Sequence, residues 1–108
     1  MSKTSTSKTS GPDIKQLRAI GHKLKPIVTV AGKGLNENVL AEIERALRDH
    51  ELVKIKLMAT DRDARKALAG QICEQTGADR IQSIGNIILI LRRSSQPDPR
   101  LSNLLRTL

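Results

Sequence analysis

The chain has 108 residues, room for one domain, with 38% hydrophobic residues, no Phe, Tyr or Trp, and a formal net charge of +8. A single cysteine, Cys73, excludes an internal disulfide. No apolar run approaches the roughly 18 residues of a membrane span, and no apolar segment follows the N-terminal lysines as a secretory signal requires, so a cytoplasmic protein is expected. The basic balance, with a pI of about 10.3, points to a polyanionic partner, nucleic acid before an anionic membrane. Without aromatic rings, binding by base stacking is excluded, which leaves backbone amides and Lys/Arg contacts to phosphate.

Residues 1–12, rich in Ser, Thr and Lys, have nothing to bury and read as a disordered basic tail. Asp13 can N-cap a short helix running to about Gly21, with Ile14, Leu17, Arg18 and Ile20 near one face. Lys25-Pro26 breaks that pattern, because the residue before a proline is driven to extended backbone. Ile27 to Ala31 then reads as a first strand. After Gly32-Lys33-Gly34, Asn36 is placed to cap a helix over 37–50, in which Val39, Leu40, Ile43, Ala46 and Leu47 share a face. Leu35 and Leu40 have the spacing of a hydrophobic staple.

In the second strand, Leu52 to Ala59, Val53, Ile55 and Leu57 alternate with Lys54, Lys56 and Met58, the pattern of a sheet with one face on a core and one wet. Thr60 and Asp63 suggest a capping box for a helix over about 62–76, with Gly77 as its stop. Ile81–Ile84 and Ile87–Leu91 make a closing hairpin around Gly85-Asn86. The order is helix, then βαβαββ: an α/β two-layer sandwich on a mixed four-stranded sheet whose last strand is antiparallel. Beyond residue 92, Pro97 and Pro99 suggest a mobile tail. Leu101, Leu104, Leu105 and Leu108 nevertheless have helical spacing, and could pack on the domain or on a protein partner.

Charge is segregated. Residues 14–36 carry Lys15, Arg18, Lys23, Lys25 and Lys33 with no acid, as a binding face would. The Gly32-Lys33-Gly34 loop is the leading site: it follows a strand and opens onto a helix N-terminus, where free amides and the helix dipole attract anions. An ordinary strand-to-helix turn would use the same glycines, and Glu37 competes for the same positive end. Lys54 and Lys56, on the outward side of their strand, read equally as binding residues or as protection of a sheet edge. Arg62, Arg65 and Lys66 read as solvated surface partly neutralised by Asp61 and Asp63. Neither His22 nor His50 sits in a catalytic pattern, Cys73 reads as a small structural thiol, and no metal-ligand spacing or Walker-type loop exists. No enzyme activity, cofactor, metal, small-molecule substrate or membrane association is therefore expected, and the chain reads as a monomer.

Several segments together resemble a known family. Leu17-Arg18, His22, Leu24-Lys25-Pro26-Ile27-Val28, Gly32-Lys33-Gly34-Leu35, Val39 to Ile43, His50 to Lys56, Thr76-Gly77-Ala78 and Ile84-Gly85 match the CRM domain (chloroplast RNA splicing and ribosome maturation) in its stand-alone bacterial YhbY-type form, over about residues 13–92. The resemblance implies a fold similar to the C-terminal domain of translation initiation factor three. It also implies RNA binding through a KH-like GxxG loop, and association with precursors of the large ribosomal subunit. Here the loop is Ala31-Gly32-Lys33-Gly34, with alanine in place of the family's first glycine. The expected partner is ribosomal RNA or a pre-large-subunit particle, contacted by Ala31 to Gly34 and an adjoining basic surface of Arg18, Lys23, Lys25, Lys54 and Lys56. The other reading is a protein–protein adaptor that uses the C-terminal leucines.

Overall fold

A computed structural model describes residues 13–31 and 34–106. The elements are α1 (Ile14–His22), β1 (Pro26–Val30), α2 (Glu37–His50), β2 (Leu52–Leu57), α3 (Arg62–Thr76), β3 (Asp79–Ile84) and β4 (Ile87–Leu91). The sheet runs β1-β2-β4-β3, with β1 parallel to β2 and both hairpin strands antiparallel to their neighbours. This is the expected mixed sheet: each strand–helix–strand unit returns its strand parallel or by crossover, and the tight Gly85-Asn86 turn reverses the last strand.

Local chemistry explains the element ends. Asp13 caps α1 reciprocally with Gln16, each side chain accepting from the other's backbone N–H at 2.9 Å. Asn36 Oδ1 accepts from the Val39 N–H at 2.9 Å at the start of α2. For α3 the expected Thr60–Asp63 box is replaced by Asp61, whose carboxylate accepts from the Asp63 N–H at 3.2 Å. Arg65 donates to the carbonyls of Ala59 and Thr60, which holds the loop so that Asp61, one position later, reaches the free amides. β3 begins at Asp79, two residues before its apolar pattern does. Asp79 and Arg80 have little strand propensity of their own and are recruited by pairing with Leu91 and Ile90 of β4.

The alternating strands feed two apolar clusters. On one face, Val28, Val30, Val53, Ile55, Leu57, Ile88 and Ile90 meet Ile43, Ala46 and Leu47 of α2 and Leu68, Ala69 and Ile72 of α3. The other face was expected to be wet, and it is so only in part. Leu17 of α1 packs with Leu52, Ile81, Leu89 and Leu91, joined by Ile20, Leu24 and Leu104. β4 is buried on both sides, as its unbroken Ile-Ile-Leu-Ile-Leu run requires. The helix α1 can sit this close because position 21 is glycine: a Cβ there would lie 2.5 Å from Leu89 Cδ2.

The C-terminal segment is not loose up to Arg106, and it forms turns where the leucine spacing suggested a helix. It is held by the α2–β2 junction. Glu51, 3% exposed and at φ 63, accepts from the Ser94 N–H and the Ser102 hydroxyl, both at 2.6 Å. Asn103 is buried: its side-chain amide donates to the Leu52 carbonyl at 2.6 Å and its N–H to the His50 carbonyl at 2.9 Å. Arg92 ties the middle of α2 to the C-terminal end of α3 by an ion pair to Glu44 at 2.6 Å and a bond to the Thr76 carbonyl at 2.9 Å. Buried polar groups that find partners outcompete a helix whose only gain is a leucine stripe. Leu104 packs inward, whereas Leu101 and Leu105 stay 41% and 54% exposed; Leu108 and residues 1–12 lie outside the described residues.

Candidate nucleic-acid interface

Two ends of the sheet carry different chemistry. At one end β1 and β2 finish, the hairpin turns, and both α2 and α3 begin. The Met58 N–H donates to the Val30 carbonyl at 2.8 Å and the Leu57 N–H to the Asn86 carbonyl at 2.7 Å, which draws these segments into one rim. Helix N-termini present unpaired amides and the positive end of the dipole, so this rim favours anions. The carboxyl ends of parallel strands are also where open α/β sheets generally bind ligands.

Of the glycine loop, Gly32 and Lys33 lie outside the described residues. Its flanks are defined: the Gly34 N–H donates to the Ala31 carbonyl at 3.0 Å, a tight turn, and Gly34 has φ 101. That value favours glycine, so the final glycine is required by the backbone. Ala31 is exposed, and Glu51 is the only non-glycine residue at positive φ among those described. The alanine at the first position of the GxxG pattern therefore carries no left-handed strain.

The remaining basic residues divide into two groups. Lys23, Lys25 and Lys54 come together, with His50 and Arg106, around a cleft of about 300 Å³ at the end of the sheet opposite the rim. Lys54 and Lys56 point to the α1 side of the sheet and are half-buried; Lys56 lies beside exposed Thr29 of the outer strand β1. Because α1 packs over β2 and β3, the β1 margin stays open, with Ile27 51% exposed. The lysines thus form a strip along this margin from the cleft toward the glycine loop. Among the described residues the ion pairs are Arg92–Glu44 and Arg100–Asp98, so none of these cations is neutralised by an ion pair.

Arg18 does not join the lysines. It lines a larger groove of about 680 Å³ with Arg62, Arg65, Lys66 and Arg80. Arg62, Arg65 and Lys66 read as solvated surface because acidic residues neighbour them in sequence, and Arg106 stands alone among leucines; only chain folding turns them toward other cations. The stripe of basic residues at i and i+4 in α3 was the available signal.

Nothing described supports covalent chemistry. His50 Nδ1 is engaged with the Leu101 carbonyl at 2.8 Å. Burial pushes the Cys73 thiol above its ordinary range, against the pull of Arg80, so it is a poor nucleophile. Among the described residues no three His, Cys, Asp or Glu side chains group to hold a metal, and no helix is long and apolar enough to cross a membrane.

A three-helix, four-stranded mixed α/β domain with cation-lined, acid-free surfaces defines a class built to meet polyanions. Comparison with known proteins places it more narrowly. The model of the CRS1 / YhbY (CRM) domain matches residues 10–92, and the chain belongs to that family. It is 51% identical over 92 residues to a protein of Pseudomonas aeruginosa named as a probable RNA-binding protein, covering 85% of this chain and 88% of the relative. It is 41% identical over 80 residues to a protein of Haemophilus influenzae named as RNA-binding, covering 74% and 81%. The solution structure of a Staphylococcus aureus protein described as a putative RNA-binding protein superposes with a TM-score of 0.69 at 32% identity, covering 77% of this chain and 86% of that one.

Proposed function

We propose that this protein binds RNA without chemically altering it and serves as an accessory factor in assembly of the large ribosomal subunit. RNA phosphates are held by the amides of the Gly32–Gly34 loop and by Lys33 at the start of α2. Lys56, Lys54, Lys25 and Lys23 continue the contact along the open β1 margin. The observation that carries this reading is the strip itself: cations without ion-pair partners among the described residues, Lys54 and Lys56 half-buried on an otherwise unfinished sheet face and Lys23 and Lys25 exposed beside it. Family membership and the RNA-binding names of the relatives support it. The ribosomal assignment rests on the family resemblance.

The adaptor reading loses weight because Ser102, Asn103 and Leu104 are spent on the domain itself. Titration of ribosomal RNA fragments with wild type and with Lys33→Glu tests the loop. Binding weakens at least ten-fold in the variant while thermal stability stays within about 0.5 kcal/mol, as for other surface changes. Unaltered affinity rules the loop out. In sedimented lysate, co-migration with large-subunit precursors at low salt and release at high salt is the expected result; migration with free protein at both removes the ribosomal role.

A further inference from the structure

The groove of about 680 Å³ is separate from the lysine strip and on the other side of α1. Arg18 comes from α1, Arg62, Arg65 and Lys66 from the first turns of α3, and Arg80 from the outer strand β3. No acidic residue lines it. Asp61 and Asp63 lie nearby in sequence, but the Asp61 carboxylate is turned to the α3 amides as a cap. The groove reaches both faces of the sheet edge, since its floor includes Leu57, Ala69 and Ile88 from one apolar cluster and Ile81 from the other. The rest of its polar lining is neutral, Gln82 and Ser83 of β3.

Five cations around one concavity repel one another, and among the described residues none of them has an ion-pair partner. Such an arrangement is stable in high dielectric and becomes favourable when a polyanion enters. We infer that this groove is a second phosphate-binding track, and that with the lysine strip it grips the two backbones of double-helical RNA. The inference rests on the RNA-binding reading and extends it to the form of the RNA.

Three features favour a helix over a single strand. The chain has no aromatic ring, so splayed bases find no stacking platform, whereas duplex RNA is read by its phosphates, ribose hydroxyls and shape. The groove lies at the β3 margin of the sheet and the lysine strip along the β1 margin, three strands away in the sheet order. That separation is about 14 Å, two cationic tracks on opposite margins of the sheet. Gln82 and Ser83 offer donors and acceptors suited to 2′-hydroxyls, the group that distinguishes RNA from DNA.

The test is binding of the full chain to an RNA duplex, a single-stranded RNA of one of its sequences and the corresponding DNA duplex, each over a range of salt. The triple change Arg62→Gln, Lys66→Gln, Arg80→Gln spares Arg65, which braces the Ala59–Thr60 loop. Wild type is expected to prefer the RNA duplex. The triple variant should lose at least ten-fold for that duplex, with the slope of log affinity against log salt shallower by about 2, and lose less than three-fold for the single strand. Arg18→Gln alone, in a different helix, should weaken the duplex in the same sense and guards against a folding defect in the triple variant. Equal loss on duplex and single strand, or no loss on either, overturns the inference. If Lys33→Glu abolishes RNA binding and the groove variants change nothing, the loop reading stands and the groove reading falls. Failure of wild type to bind any of the RNAs removes both.

Discussion

The two faces of the sheet are made by the same alternating strands and finished in opposite ways. The face under α2 and α3 is closed: its strand residues meet apolar side chains from both helices and are almost wholly buried. The face under α1 is half-closed, because a nine-residue helix spans only part of a four-stranded sheet. The C-terminal turns complete the covered half through polar bonds, and Lys54 and Lys56 hold the rest. One face is therefore optimised for burial, and the other trades burial for charged surface. A protein this small, with 38% hydrophobic residues, has too little apolar surface to close both. It leaves open the side that carries Lys54 and Lys56.

Substitutions can break this contrast, and the largest effect belongs to the closed face. Ile55→Ala, at a position 0% exposed, is expected to cost about 2–5 kcal/mol of unfolding free energy in chemical denaturation. A loss under 1 kcal/mol means that this core is looser than described. On the half-closed face the polar latch should matter next: Asn103→Ala leaves the Leu52 carbonyl without its donor and is expected to cost about 1–3 kcal/mol. Protease cleavage after Arg93 or Arg100 should accelerate in the same variant, which would not happen if the segment were held by its leucines alone.

The seating of α1 gives a third, smaller effect. Gly21→Val must displace Leu89, at a cost of about 1–3 kcal/mol reduced by the better helix propensity of valine. Loss of amide protection should be confined to α1 and β4. Lys54→Gln should leave unfolding free energy within about 0.5 kcal/mol while lowering RNA affinity several-fold, which separates charge from burial on the open face. The smallest effect concerns Cys73. Because burial holds its thiol pKa up, the folded protein keeps a proton that the unfolded chain releases. Stability is thus unaffected at neutral pH and falls as pH rises through the range where the unfolded thiol ionises. Reaction with a thiol reagent should begin at higher pH in folded than in urea-unfolded protein. Identical profiles would contradict the burial.

Much of the fold was legible because its signals are local. Asp13 and Asn36 cap where short polar side chains precede apolar periodicity. The alternation in β2 named its buried residues correctly, and Gly85-Asn86 marked the hairpin. Of the candidate site, the kinds of group were legible, cations and a glycine loop with no rings, and their arrangement less so. Lys23, Lys25 and Lys54 do assemble, yet Arg18 faces a different groove, because it sits within α1 whereas Lys23 and Lys25 lie beyond the end of that helix. Arg62 and Lys66 read as ordinary solvated charge beside Asp61 and Asp63. That Asp61 is committed to a cap, and that Arg80 and Arg18 arrive across a sheet edge, follow from contacts between residues distant in sequence.

By itself, then, the sequence determined the elements, the apolar face of each, and the kind of partner its charge can meet, because capping, periodicity and composition act over a few residues or over the whole chain. Only the tertiary structure decided which cations share a surface, that α1 closes half of the second face, and that the C-terminal segment is latched by Glu51 and Asn103. Those outcomes depend on strand order and on which buried polar groups find partners, and neither is encoded in any short stretch of chain.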